Sequence, residues 1–292
     1  MATLPPRPIP PPPTGTAPRL GVPRQVRTQR APTNLSDHRA RLLYIGPPFS
    51  GKTTMIASWH MPEQERELFM VSWDKKLESF FKAAPGAPYV VPDSPKQFRE
   101  EILPWMLEGG LAHDYPNVWA VGFDTISFYA RDLELEIMGS ANAMSAKDGD
   151  WQVFSNRIAN DFAQLGRLVT GDLPKNFHFI AGVHEKEKYT AVKGAQGSWE
   201  QRLIGIDPAI SGQTARMITG YFDCVLYLTR KVEMVTQPGA PAKQVVKHIA
   251  YATEPADHRA PAGGTIWGKT LPPGELEDVT YAGLRRLCGL EP

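Results

Sequence analysis

Short runs of consecutive apolar residues alternate along this chain with stretches whose apolar positions recur every three or four residues. RLLYIG at 41–46 is too short for a helix and ends in a glycine-rich segment, so it reads as a buried strand. ELFMVSW at 67–73, NVWAVGFD at 117–124 and NFHFIAGVH at 176–184 have the same character, and YFDCVLYL at 221–228 and QVVKHIAYA at 244–252 read as strands late in the sheet. Between them, Trp151, Phe154, Ile158, Phe162, Leu165 and Val169 fall at helical spacing and predict a long amphipathic helix. SPKQFREEILPWMLEG at 94–109 predicts a helix capped by Ser94, with Pro95 at its first position and a kink at Pro104. TYAGLRRLCGL at 280–290 predicts a last helix. Strands alternating with helices imply an α/β core with a mostly parallel sheet and helices on both faces.

The segment after the first strand carries chemistry. Gly46, four residues and then Gly51-Lys52-Thr53 form the phosphate-loop spacing. Glycines let the backbone curl so that successive N–H groups point inward at phosphate oxygens. Residues Gly46, Pro47, Pro48, Phe49, Ser50, Gly51, Lys52, Thr53 and Thr54 would hold the phosphates. Lys52 would reach the β and γ phosphates and the Thr53 hydroxyl would ligate magnesium. A strand before the loop and a helix after it supply the setting this chemistry needs.

A phosphate loop also needs an acid at the end of a neighbouring strand to hold magnesium. Asp124, closing NVWAVGFD, stands there; its other reading is a helix N-cap. Asp74, in LFMVSWDKK, ends the second strand and could orient or activate water, or be a plain turn acid. His184, in FIAGVHEK, ends the strand after the long helix and could contact the γ-phosphate. In open parallel sheets ligands sit at the carboxyl ends of the strands.

Composition narrows the classes. The chain has 292 residues and 42% hydrophobic content, enough for a full core. Its two cysteines, Cys224 and Cys288, cannot build a disulfide framework or a zinc site, which fits a reducing, cytoplasmic setting. No stretch approaches the ~20 apolar residues that span a membrane. The net charge of +1 conceals an uneven distribution. Residues 1–38 carry five arginines against one aspartate, +4, which leaves −3 for the remainder. That arm also holds ten prolines in its first 33 residues. Proline supplies no backbone donor, so the expectation is a disordered or extended arm over 1–38 ahead of one domain over 39–292.

The order of motifs resembles the phage-encoded RecA-like ATPases, a family that includes single-strand-annealing recombination ATPases. SWD and FDT strand ends, the AGVHEKEK segment and DPAISGQTARMITGYFDCVLYL carry the resemblance, over about residues 40–270. It implies a RecA-like core that binds ATP and Mg2+, forms a ring or filament of identical subunits, and acts on single-stranded DNA, with a single-strand-binding protein as a further partner. On this reading Lys52, Asp74, Asp124 and His184 are the catalytic set and Thr53 and Asp124 hold the metal. Asp74 stands where such enzymes usually carry the longer Glu. Arg259, in DHRAPAG, would act on a neighbouring subunit's nucleotide.

For DNA, residues 185–205 combine Lys186, Lys188, Lys193 and Arg202 with Tyr189 and Trp199, cations among aromatics as single strands require. The alternative is an ordinary solvated hairpin. The small-residue loop at 138–150 is a second candidate. Two other functions fit the phosphate loop: an AAA-type motor or loader in phage DNA replication, and a nucleotide-dependent binding switch. The first would need a helical lid after the core, where only one helix is evident; a nucleotide kinase would need an arginine-rich lid.

Overall fold

The computed structural model describes residues 39–75, 77–140, 148–171, 176–193, 199–210, 214–235, 243–253 and 261–291. The arm, Arg259 and part of the 138–150 loop lie outside them.

Alternation along the first strand sets the architecture. In β1 (Arg41–Gly46), Leu43 and Ile45 enter one apolar core and Leu42 and Tyr44 the other. A strand buried on both faces belongs to the middle of a sheet covered on both sides. The same division holds in β2 (Glu67–Ser72), where Phe69 and Val71 oppose Leu68 and Met70, and in β4 (Val118–Asp124), where Val121 and Phe123 oppose Ala120. With β3 (Tyr89–Val90), β5 (His178–Lys193) and β7 (Cys224–Val235), six strands run parallel in the order β7-β1-β5-β4-β2-β3. The first core packs beneath α4 (Leu103–Leu107), α6 (Ile126–Ser140) and α7 (Asp148–Thr170). The second packs against α1 (Lys52–Ala57), α2 (Glu78–Ala83) and α9 (Tyr281–Leu287). The α/β architecture, a mostly parallel sheet with helices on both faces, is the one expected from the alternation of strands and helices.

Two antiparallel ribbons extend this sheet. β5 continues past its parallel partners and pairs with β6 (Trp199–Pro208), Glu185 opposite Pro208 through Lys193 opposite Trp199. β7 likewise outruns β1 and pairs with β8 (Lys243–Tyr251). The short strands β9 (Gly263–Ile266), β10 (Lys269–Thr270) and β11 (Glu275–Leu276) finish the edge. The strand expected over 176–184 is therefore the first half of a 16-residue one.

Ser94 caps as expected, accepting from the Gln97 N–H at 3.1 Å. After α3 (Pro95–Gln97) the helix does not simply kink: it passes through a π turn, Phe98–Ile102, before α4. Pro104 has no N–H to offer and its ring crowds the carbonyl four residues back, so the backbone widens ahead of it. In α6, a helix the sequence signals only through the N-cap alternative for Asp124, Ile126, Tyr129, Ala130, Leu133 and Ile137 are buried at helical spacing.

β7 lies so close to the end of β1 that a Cβ on Gly46 would sit 2.2 Å from the Leu228 carbonyl oxygen. Gly46→Ala must push β7 away and should cost about 3 kcal/mol in urea unfolding, at the upper end of overpacking effects. Gly86→Ala is the control: its φ is +82° but nothing lies within 4 Å. It should cost only the ~1 kcal/mol of a left-handed alanine.

Candidate functional site

The loop leaves β1 at the carboxyl edge of the sheet. Pro48 and Phe49 form its exposed tip, Phe49 with φ +64° and 82% exposed. The Ser50 N–H donates to the Pro47 carbonyl at 3.3 Å and closes a turn. Gly51 adopts φ +94°, which favours glycine. Lys52 opens α1 but its side chain folds back over the loop. Its ammonium donates to Gly46 O at 2.9 Å, Pro47 O at 2.7 Å and Ser50 Oγ at 3.3 Å. Burial lowers this lysine to about 8, against the pull of Asp124 and then Glu185. Thr54 is on the exposed side of α1.

Thr53 Oγ1 donates to Asp124 Oδ2 at 2.7 Å, tying the loop to the end of β4 across the intervening β5. Asp124 is buried, and its Oδ1 has no hydrogen-bond partner among the described residues. Burial raises it to about 6; the Thr53 hydrogen bond and Lys52 pull it down, and Asp74 pushes it up. Gly182 on β5 leaves room beside this oxygen: a Cβ there would stand 3.3 Å from Oδ1. The Asp124–Thr125 peptide is cis.

Asp74 follows β2 and is anchored by its backbone. The N–H groups of Trp73 and Asp74 both donate to the Asp124 carbonyl, at 2.6 and 3.2 Å. Its half-buried carboxylate acts on both Asp124 and His184. His184 sits on β5 opposite Gly46, its N–H on Ser127 Oγ at 2.9 Å and its ring edge-on to Phe128. Burial, and then Lys52, lower it to about 4, so it is neutral at pH 7. Lys52, Thr53, Asp74, Asp124 and His184 thus meet at one sheet edge.

Can these groups accept magnesium? A buried carboxylate oxygen without a hydrogen-bond partner, beside a hydroxyl, is a hard oxygen donor set of the kind magnesium takes. Among the described residues no group of three or more His, Cys, Asp and Glu could hold a metal.

Three residues at the site were not singled out for it from the sequence. Glu185 acts on Lys52 and hydrogen-bonds Tyr227. Ser127 receives the His184 N–H. His248 on β8 places Nδ1 3.0 Å from the Ser50 carbonyl, 198 residues away in sequence. Alternation in QVVKHIAYA marks the face His248 occupies; only the strand order brings that face to the loop.

The residues considered for DNA lie on the β5–β6 ribbon. Lys186 and Lys188 occupy one face, with Lys188 ion-paired to Asp207. Tyr189 and Trp199 occupy the other, Trp199 73% exposed and Tyr189 bonded to Glu187 at 2.5 Å. Lys193 pairs in register with Trp199 and Arg202 with Thr190; their side chains are outside the described residues. No described helix is long and apolar enough to cross a membrane.

The fold is an α/β one with a mostly parallel sheet, and the glycine-rich 46–54 loop stands at its carboxyl edge beside Asp124 and His184. No protein-family model and no curated protein matches the chain. Among solved structures it is similar to one described as the crystal structure of the RadB recombinase. The identity is 13%, over 73% of this chain and 87% of that one, with a TM-score of 0.33. A likeness at that level carries nothing about activity.

Asp124 yields a stability test. Because its native value lies above the ordinary 3.8, the folded protein holds this proton more tightly than the unfolded chain. The advantage is full below about 4 and lost as pH rises through about 6. Asp124→Asn keeps an acceptor for Thr53 without the charge. It should stabilise the ligand-free protein on the order of 2 kcal/mol at pH 7.5, with the gain vanishing at pH 4 in urea unfolding.

Proposed function

We propose that this protein binds ATP with Mg2+ in the 46–54 loop and hydrolyses it in a DNA-dependent way, serving phage DNA recombination or single-strand annealing. The observation that carries the nucleotide part is the Thr53–Asp124 hydrogen bond beside Lys52. It couples the loop to a strand-end carboxylate, as phosphoryl transfer needs. Lys52 exchanges its loop carbonyls for phosphate oxygens. Thr53 and Asp124 would hold magnesium, which when bound would neutralise charge on the phosphates. Asp74 orients the attacking water, and neutral His184 offers a hydrogen bond to the terminal phosphate.

The DNA part rests on the continuity of β5. One 16-residue strand carries His184 at the site and Lys186 to Lys193 along the ribbon. Loss of the terminal phosphate at His184 would shift the strand that presents Tyr189 and, through β6, Trp199. Identical subunits assembled along a single strand, with Arg259 reaching a neighbour's nucleotide, complete this reading, and a single-strand-binding protein is its expected partner.

Phosphate release from ATP, with and without single-stranded DNA, tests it. Lys52→Ala should lose at least about a hundredfold in turnover, in line with the loss of a transition-state cation, and DNA should raise the wild-type rate. Full turnover by Lys52→Ala removes the loop from the reaction. Turnover indifferent to DNA favours the motor or the switch.

Binding should also move a proton. With Lys52 held near 8, a bound triphosphate raises it, so complex formation at pH 8 takes up about half a proton. Calorimetry in buffers of different ionisation heat should show this uptake at pH 8 and its loss at pH 6.5, where Lys52 is already charged.

A further inference from the structure

Beyond the loop itself, the ribbon of β7 and β8 stands over the site and has no part in the scheme above. Tyr227 to Val235 pair with Lys243 to Tyr251 without a register break, so directly opposite residues share a face. Cys224, Leu226 and Leu228 point into the core on the α1 side, and Val225 and Tyr227 into the other. Alternation then places Arg230 on the α1 side, just beyond the point where β7 outruns β1. Its cross-strand partner is His248. That histidine touches the Ser50 carbonyl at 3.0 Å and lies 3.4 Å from where a Cβ on Gly51 would be. Arg230 is exposed and makes no hydrogen bond or ion pair with any described residue.

We infer that the Arg230–His248 pair is a third wall of the phosphate site, with Arg230 binding the phosphates held by the loop of its own chain and His248 positioning that loop. The inference rests on the nucleotide reading above. Opposite residues of an antiparallel pair have Cβ atoms about 5 Å apart, so a guanidinium at 230 starts beside the imidazole that already touches the loop. His248 fixes the Ser50 carbonyl by donating to it, which limits how the loop backbone on either side of Ser50 can turn. Arginine's planar fork suits two phosphate oxygens at once, where Lys52 acts as a point charge. The neighbouring cation, Lys231, lies on the opposite face and is engaged by Glu275 at 2.9 Å and Glu233 at 3.7 Å.

The test compares adjacent residues. Affinities for fluorescent ADP and a non-hydrolysable ATP analogue are measured on the full chain for Arg230→Ala, Arg230→Lys, His248→Ala and Lys231→Ala. The expected result is about a tenfold or greater loss of ATP-analogue affinity in Arg230→Ala, a smaller loss for ADP and partial rescue by lysine. His248→Ala should weaken both nucleotides alike, and Lys231→Ala should stay within about twofold of wild type. Thermal melts check that each variant folds. Wild-type binding by Arg230→Ala, or equal losses in Arg230→Ala and Lys231→Ala, overturns the inference. If Lys52→Ala still abolishes binding in that case, the loop reading survives; if it does not, both fall. Turnover regained on mixing Arg230→Ala with Lys52→Ala would show the arginine serving a neighbouring chain, which overturns the same-chain placement.

Discussion

Lys52 and Asp124 are opposite charges buried together, and each is pushed towards its neutral form. Burial lowers the lysine and raises the aspartate by more than their mutual attraction restores. Taking two ions out of water costs more than an imperfect pairing returns. The ammonium compensates by donating to loop oxygens, and one carboxylate oxygen by accepting from Thr53. The other carboxylate oxygen has no hydrogen-bond partner among the described residues. The site is therefore built at the expense of stability, as is common where charge must be ready for a ligand.

Holding that arrangement requires a particular sheet. The loop strand β1 and the acid strand β4 are not neighbours; β5 lies between them and contributes His184 at the same edge. Thr53 can bridge to Asp124 only if nothing bulky rises from β5 beneath it, and Gly182 meets that requirement. Gly122, one strand over, does the same for α1: a Cβ there would come within 2.7 Å of Ile56. The helix after the loop settles onto the sheet because the strands below are stripped of side chains where it lands.

How much of this the sequence disclosed follows from burial. The strands around the site are enclosed on both faces, so RLLYIG, ELFMVSW and NVWAVGFD appear as unbroken apolar runs that mark both their place and their depth. The loop is legible because a glycine-rich turn between a strand and a helix has a fixed spacing, Gly46 and then Gly51-Lys52-Thr53. The ribbons are less legible. Past His184 and Leu228 both faces meet water, apolar and charged residues alternate, and no run signals that the strand continues. The contact between His248 and Ser50 depends on β8 lying beside β7 and β7 beside β1, a matter of topology that no local pattern states. Helix α6 is different: Ile126, Tyr129, Ala130, Leu133 and Ile137 spell it out, but it starts two residues after Asp124, where strand and site features dominate the reading.

The β7–β8 ribbon also shows how a strand pair survives beyond the sheet that supports it. Lys231 and Lys247 are directly opposite, a like-charge pair that by itself disfavours pairing. Glu233 lies between them, 3.7 Å from one and 3.0 Å from the other, while Glu275 and Glu277 reach in from the neighbouring segment. Exposed ion pairs of this kind each contribute little; what they do here is cancel a repulsion. Among the described residues the opposite face has no such network, and it exposes Val232, Met234 and Val246 beyond Arg230 and His248. One side of the ribbon satisfies itself, and the side that rises from the loop does not.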